Sequence, residues 1–241
     1  MLAQEQIVVV SPHLDDAALD CCEHIFAWKR SGIRVSILTV FTAFSARVLS
    51  PWARWYSGAA DSEGLVEFER RRACEDLKAM NILGVSWNHL GFVTAGFRCN
   101  GGKTLYPDSE AICSGVISPE DMVLLNELKR TIRPLKDRSW LVVPFGIGKH
   151  VDHLLVRKAA EEVVKPVDLY YYLDYPYALN PWNWTASDVV KVLTARKSIR
   201  WMSKAKRRLL NVYSSQIPRV FPLVFPRTYP EIVFYPRHHA E

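Results

Sequence analysis

Two short apolar runs, each opening directly into histidines and carboxylates, constrain this chain more than any other feature. The first is Ile7-Val8-Val9-Val10-Ser11, followed at once by Pro12-His13-Leu14-Asp15-Asp16. The second is Trp140-Leu141-Val142-Val143-Pro144, followed shortly by His150-Val151-Asp152-His153. Four consecutive aliphatic residues in the first run, all β-branched, show no polar alternation, which suits a strand covered on both faces as in a parallel sheet. Pro12 lacks an amide donor and ends the first strand. From Ala17 onward the residues are mostly good helix formers. The first cluster therefore lies between the carboxyl end of a strand and the amino end of a helix, the place where open α/β sheets hold their ligands.

If the two strands are parallel and close, their loops converge. His13, Asp16 and His153 would then offer two nitrogens and one oxygen to a single ion, a set that matches catalytic zinc with one position left for water. Two histidines and one carboxylate also describe a mononuclear Fe(II) site, so the donor set alone leaves the metal open. Asp15 and His150 stand beside these ligands, free for acid and base work. The competing local reading is helix capping, with Asp15 or Asp16 at the start of one helix and Asp152 at the start of the other.

At these residues a resemblance to a known family appears. Pro12-His13-Leu14-Asp15-Asp16 together with His150-Val151-Asp152-His153 resembles the paired motifs of the PIG-L/LmbE-like N-deacetylases. Arg72-Ala73-Cys74-Glu75, Leu90-Gly91-Phe92 with Phe97-Arg98, Tyr171-Tyr172 with Asp174-Tyr175-Pro176-Tyr177, and Tyr213-Ser214-Ser215-Gln216 extend the likeness over most of the chain. The resemblance implies a zinc-dependent hydrolase that removes the acetyl group from an N-acetylglucosamine-type sugar conjugate, releasing acetate and a free amine. It implies zinc held by His13, Asp16 and His153, with Asp15 taking the proton of the attacking water. His150 would donate to the developing oxyanion, kept protonated and oriented by Asp152. Arg72 and Arg98 match positions near substrate, although Arg72 paired with Glu75 reads equally well as a structural ion pair. Thr94 stands where many relatives carry an acidic residue that touches a sugar hydroxyl. Readings from other classes are an Fe(II) oxygenase on the same triad and a non-catalytic sugar-binding protein on the same fold.

The remaining sequence sets the frame for such a site. A length of 241 residues suits one domain, residues 1–241, with a core of its own. Hydrophobic residues at 49% and charged residues at 23% are an ordinary globular balance. No apolar run is long enough to span a bilayer, and with the first strand starting so early no leader is expected. Five cysteines without a C-x-x-C pair fit neither a disulfide framework nor a cysteine zinc site, so a cytoplasmic setting is expected.

Strand and helix signals alternate along the chain, which predicts an α/β fold: a mostly parallel, Rossmann-like sheet with helices on both faces. A helix is expected from Asp16 to the Ser31-Gly32 stop, then a strand over 34–42, a rim loop over 45–64 and a helix over 67–83. A short strand follows at 87–92, irregular structure over 94–119, a helix over 122–133, the strand 140–144, a helix over 153–164 and a strand over 169–173. Residues 187–213 read as one long helix or a broken pair, and 231–235 as a last strand.

The net charge of +6 is concentrated in Arg196, Lys197, Arg200, Lys204, Lys206, Arg207 and Arg208. A solvated helix face is the ordinary reading of such a run. The sharper one is an anionic partner: a phosphate on a nucleotide-linked or lipid-linked sugar, or contact with the periphery of an anionic membrane. No nucleic-acid-binding motif accompanies the charge, so no nucleic-acid partner is expected. Trp182 and Trp184, beside Tyr175 and Tyr177, are candidates for stacking on sugar rings.

Overall fold

The computed structural model describes residues 6–45, 47–136, 138–221 and 225–235. In chain order the elements are β1 (Gln6–Ser11), α1 (Asp16–Arg30), β2 (Arg34–Ala43), α2 (Pro51–Ser57), α3 (Ser62–Leu83) and β3 (Ser86–Val93). A two-stranded ribbon follows, β4 (Cys99–Asn100) with β5 (Lys103–Thr104), then α4 (Ser109–Ile112), α5 (Met122–Ile132), β6 (Trp140–Pro144), α6 (Val151–Val163) and β7 (Leu169–Tyr172). The chain continues through α7 (Ala186–Thr194), β8 (Arg196–Trp201), α8 (Lys204–Leu210), α9 (Ile217–Val220) and β9 (Pro230–Tyr235).

Seven strands form one sheet in the order β3-β2-β1-β6-β7-β9-β8. The first five run parallel, and β9 is antiparallel to both β7 and β8. The apolar runs behave as their composition requires. Along β1, Ile7 and Val9 join the core on one face while Val8 and Val10 join the core on the other. Along β6, Val142 takes the first face and Leu141 and Val143 the second. Side chains of α1, α3 and α8 fill the first core and those of α5 and α6 the second, so the sheet is buried on both sides. The chain leaves β1 toward β2 and β3 and later returns to β6 on its other side. The β1–β6 seam is therefore a topological switch point, with a crevice outside its strand ends.

Three expectations need correction. Residues 45–64 are not all loop: Ser50 accepts a hydrogen bond from the Ala53 amide, Pro51 takes the first turn, and α2 follows. Helix α3 starts at Ser62 rather than 67, because the Asp61 side chain caps it by accepting from the Gly64 amide. Residues 187–213 are not one long helix but a broken pair, α7 and α8, with an unexpected strand between them. Helix α7 ends at Thr194, where the Lys197 ammonium donates to the Val192 and Leu193 carbonyls. Residues Arg196–Trp201 then pair along β9, whose outer edge would otherwise be unsatisfied.

A candidate metal centre in a cleft

The loop after β1 is held by its own side chains. Ser11 Oγ donates to the His13 carbonyl at 2.7 Å and accepts from the Ala17 amide at 3.0 Å. The His13 amide donates to Asp16 Oδ2 at 2.7 Å. The same Oδ2 lies 3.2 Å from His13 Nδ1 and 3.5 Å from His153 Nε2, so one carboxylate oxygen touches both imidazoles. His153 reaches it from the first turn of α6. Its other ring nitrogen, Nδ1, is 2.6 Å from Asp174 Oδ1, and Asp174 is itself fixed by the Gly146 and Ile147 amides. A histidine anchored at one nitrogen by a carboxylate, with the other facing a cavity, is how proteins orient a metal-binding imidazole.

The sequence-predicted triad is thus assembled, and His150 joins it. Ring nitrogens of His13, His150 and His153 lie within 4.8 Å of one another. Burial opposes a charge on His13, yet Asp16 and Asp152 outweigh it and raise its pKa to about 10. Burial would raise the Asp16 pKa, but His153 and His13 hold it well below the usual carboxylate range. Buried negative charge converging with imidazole nitrogens is the donor chemistry a divalent cation requires. The residues present fit such an ion.

The capping alternative is answered differently at the two clusters. Asp15 stands at the start of α1 but its side chain makes no capping hydrogen bond. Instead it is buried, with Oδ1 3.3 Å from Arg72 Nη2. Burial raises its pKa against the lowering pull of Arg72. At α6 the cap is His150, whose Nδ1 accepts from the Asp152 amide at 3.1 Å. Burial, followed by repulsion from His13, pushes the His150 pKa well below 6.5. The expectation that Asp152 keeps His150 protonated is therefore corrected. The Asp152 carboxylate is committed elsewhere: Oδ1 accepts from Arg98 at 2.6 Å, and Oδ2 meets Thr94 Oγ1, the Ala95 amide and His13 Nε2 at 2.9–3.1 Å.

Of the three expected substrate contacts, Arg72 and Thr94 line the cleft and Arg98 does not. Arg98 is buried behind Asp152 and also pairs with Asp121 at 2.9 Å, which makes it a structural ion pair. The Arg72–Glu75 pairing is not found either, because Glu75 accepts from Ser214 Oγ and from the Ser215 amide and hydroxyl. Arg72 donates to Tyr56 Oη at 3.0 Å.

The cleft holds about 420 Å³. Its aromatic wall comes from the 45–64 segment, which does sit at the rim. Trp52 and Tyr56 on α2 stack with ring centres 4.9 Å apart and planes 8° from parallel. Tyr175 and Tyr177 also line the cleft, whereas Trp182 and Trp184 do not. Two glycines permit this: a Cβ at Gly96 would meet Trp52 at 2.1 Å, and one at Gly148 would meet Tyr177 at 2.4 Å. Sequence reasoning missed Trp52, Tyr56 and Arg219 as cleft residues, and gave Asp174 no role. The available signals were the i, i+4 spacing of Trp52 and Tyr56 and the position of Asp174 just beyond a strand next to β6. No residue of the basic stretch 196–208 lines the cleft, and Lys206 is buried against Glu231.

Comparisons with known proteins bear on the family and the fold. Residues 8–164 match the family model PIG-L, described as GlcNAc-PI de-N-acetylase. The chain is 30% identical over 184 residues to a 2'-N-acetylparomamine deacetylase of Streptomyces fradiae, covering 73% of this chain. It spans 59% of that relative's length. Among solved structures it is similar to a deacetylase of teicoplanin biosynthesis in complex with teicoplanin, with a TM-score of 0.70, 23% identity, and 95% and 97% of the two chains covered. A zinc-inhibited form of a teicoplanin deacetylase gives 0.68 at 23% identity, with the same coverage.

Proposed function

The chain belongs to the PIG-L family, and from that premise we propose that it is a zinc-dependent N-deacetylase acting on an N-acetylglucosamine-type sugar conjugate. The observation that carries the reading is Asp15. It is a buried carboxylate with no capping duty, in the same cleft as the histidine cluster, with a pKa raised by burial. Such a group is suited to accept a proton from water.

His13, Asp16 and His153 would hold the metal. When bound, it supplies Lewis acidity, which polarises an acetyl carbonyl and makes water a better nucleophile at neutral pH. Asp15 accepts the proton of the attacking water, and Arg72 beside it keeps the carboxylate placed. His150 takes the backbone amide of Asp152 at Nδ1, which puts the proton of its neutral ring on Nε2 and makes that atom a donor for the oxyanion. Asp15 then returns the proton to the departing nitrogen. Water and amide are consumed, and acetate and amine are formed. Asp152, fixed by Arg98, Thr94 and the Ala95 amide, positions the His13 ring rather than touching substrate. The Trp52–Tyr56 wall gives a flat apolar surface for a sugar ring. Thr94, already donating to Asp152, leaves the usual acidic contact with a sugar hydroxyl unfilled.

The test is Asp15→Asn, assayed for acetate released from N-acetylglucosamine glycosides with metal content measured alongside. Metal and fold should be retained while turnover falls by about 10²–10⁴. Parent-level turnover in the variant would remove Asp15 from the reaction. Oxygen consumption without acetate release would instead favour an Fe(II) oxygenase.

A further inference from the structure

One side of the sheet ends in a surface that the proposed reaction does not use. Residues 179–208 hold eight cationic side chains and one carboxylate, a net +7, while the whole chain carries +6, so the remainder sums to −1. The carboxylate, Asp188, is engaged with Thr185 at the start of α7. Lys206 is buried on Glu231, and Lys197 closes the end of α7. Lys191, Arg196, Lys204 and Arg208 are exposed, and none has a carboxylate partner among the described residues.

The same segment exposes apolar side chains out of proportion to its length. On α7, Val189, Val190 and Leu193 share one face and point away from the core, with Leu193 68% exposed. A helix on a protein surface normally turns such a stripe inward. Trp182 just before it is 93% exposed, and Trp201 and Ile199 on the edge strand β8 are 63% and 49% exposed. An apolar stripe bordered by tryptophans and unpaired cations has the composition of an interfacial helix.

We propose that the α7–β8 flank docks on an anionic lipid surface, with Trp182, Val190, Leu193 and Trp201 entering the headgroup boundary while the unpaired cations meet lipid phosphates. Charge selects this occupant. A second copy of the chain would bring one +7 segment against another. A nucleic acid would engage the cations but leave the aliphatic face of α7 wet. Docking also places the cleft. Trp182 lies five residues beyond Tyr177, which lines it, so the two are no more than about 18 Å apart. A cleft this close to the bilayer receives substrates held at its surface. The docking stands on the flank alone and does not depend on the reaction proposed above.

Flotation of the full chain with vesicles tests it without any substrate. Equimolar phosphatidylcholine–phosphatidylglycerol vesicles should carry the protein at low salt, and pure phosphatidylcholine vesicles should not. The triple variant Arg196→Ser, Lys204→Ser, Arg208→Ser should bind about a hundredfold more weakly. The double variant Trp182→Ala, Leu193→Ser should lose about tenfold. Circular dichroism checks that both variants are folded. Failure of the parent to float, equal binding to both vesicle types, or indifference to both variants overturns the proposal. So does a dimer in sedimentation that dissolves in the double variant while vesicles stay unbound, which would give the face to a second copy.

Discussion

Strand β1, in the middle of the sheet, exposes no side chain, whereas β8, at its edge, exposes Arg196, Lys197, Ile199 and Trp201. The first is covered by helices on both faces and delivers its chemistry at its carboxyl end. The second is covered on its inner face and presents its outer side chains to whatever lies beyond. They meet at α1, the helix that carries Asp16. Here Lys206 and Tyr229 donate to the Leu19 carbonyl at 2.5 and 3.0 Å, and the Glu23 amide donates to Glu231 Oε2 at 2.8 Å. The antiparallel edge therefore reaches through the layer and holds the site helix by its backbone. The site is made by local order on the parallel side and held by long-range polar contacts from the edge.

The sharpest way to break this comparison is to remove the site and leave the edge. His153→Ala should lower metal affinity by more than about a hundredfold, the upper end for losing only an outer hydrogen-bond partner, and should silence turnover. Asp174→Ala, which loses only the anchor of that ring, should cost about 10–100-fold. His150→Ala should keep its metal and lose kcat more than it gains KM, because its donor serves the transition state. Elemental analysis with acetate kinetics decides each case, and an empty site in His150→Ala would make His150 a ligand.

The converse is to break the edge and leave the site residues in place. Glu231→Ala abandons the fully buried Lys206 ammonium and should cost about 3–5 kcal/mol in denaturant unfolding. A loss below about 1 kcal/mol would mean that the edge does not hold α1. The same group sets a smaller pH effect. Burial would raise the Glu231 pKa, but Lys206 and His24 outweigh it and keep it lowered. Its folded pKa is therefore below the unfolded one, so its contribution is complete above the unfolded value and is lost as pH falls through the folded value. Urea midpoints should drop in that acid window, and less steeply in Glu231→Gln, which has no charge to lose. Parallel profiles would assign the acid transition to other groups.

The smallest expected effect separates aromatics of the two regions. Trp52→Ala removes half of the stacked wall of the cleft and should raise KM several-fold. Trp182→Ala, at a site 93% exposed, should leave stability within about 0.5 kcal/mol and leave turnover of a soluble substrate unchanged. Equal effects of the two on KM would mean that the flank shapes the cleft directly.

Legibility in the sequence follows the same divide. The β1 and β6 runs, their positions before helices, and the cleft residues His13, Asp15, Asp16, His150 and His153 were readable because a buried parallel strand needs an uninterrupted apolar run and the polar side chains at its end follow it within a few residues. Of the one long helix or broken pair expected over 187–213, the pair is found, and what breaks it is β8: Arg196-Lys197-Ser198-Ile199-Arg200-Trp201 has no strong local preference and becomes a strand only because β9 offers an open edge. Arg98 was misplaced for a related reason. Its residue type suits substrate as well as it suits a buried carboxylate, and only packing against Asp152 and Asp121 decides.

By itself, the sequence determined that two apolar strands would each end in a cluster of histidines and carboxylates, because each such pattern lies within some ten residues of chain. Only the tertiary structure decided that the two clusters meet and which partner holds each side chain. Asp174 anchors His153 across 21 residues, Asp152 engages His13 across 139, and Glu231 grips α1 across more than 200. These partners are selected by the register and layering of the sheet, which bring distant residues together at distances no local pattern encodes.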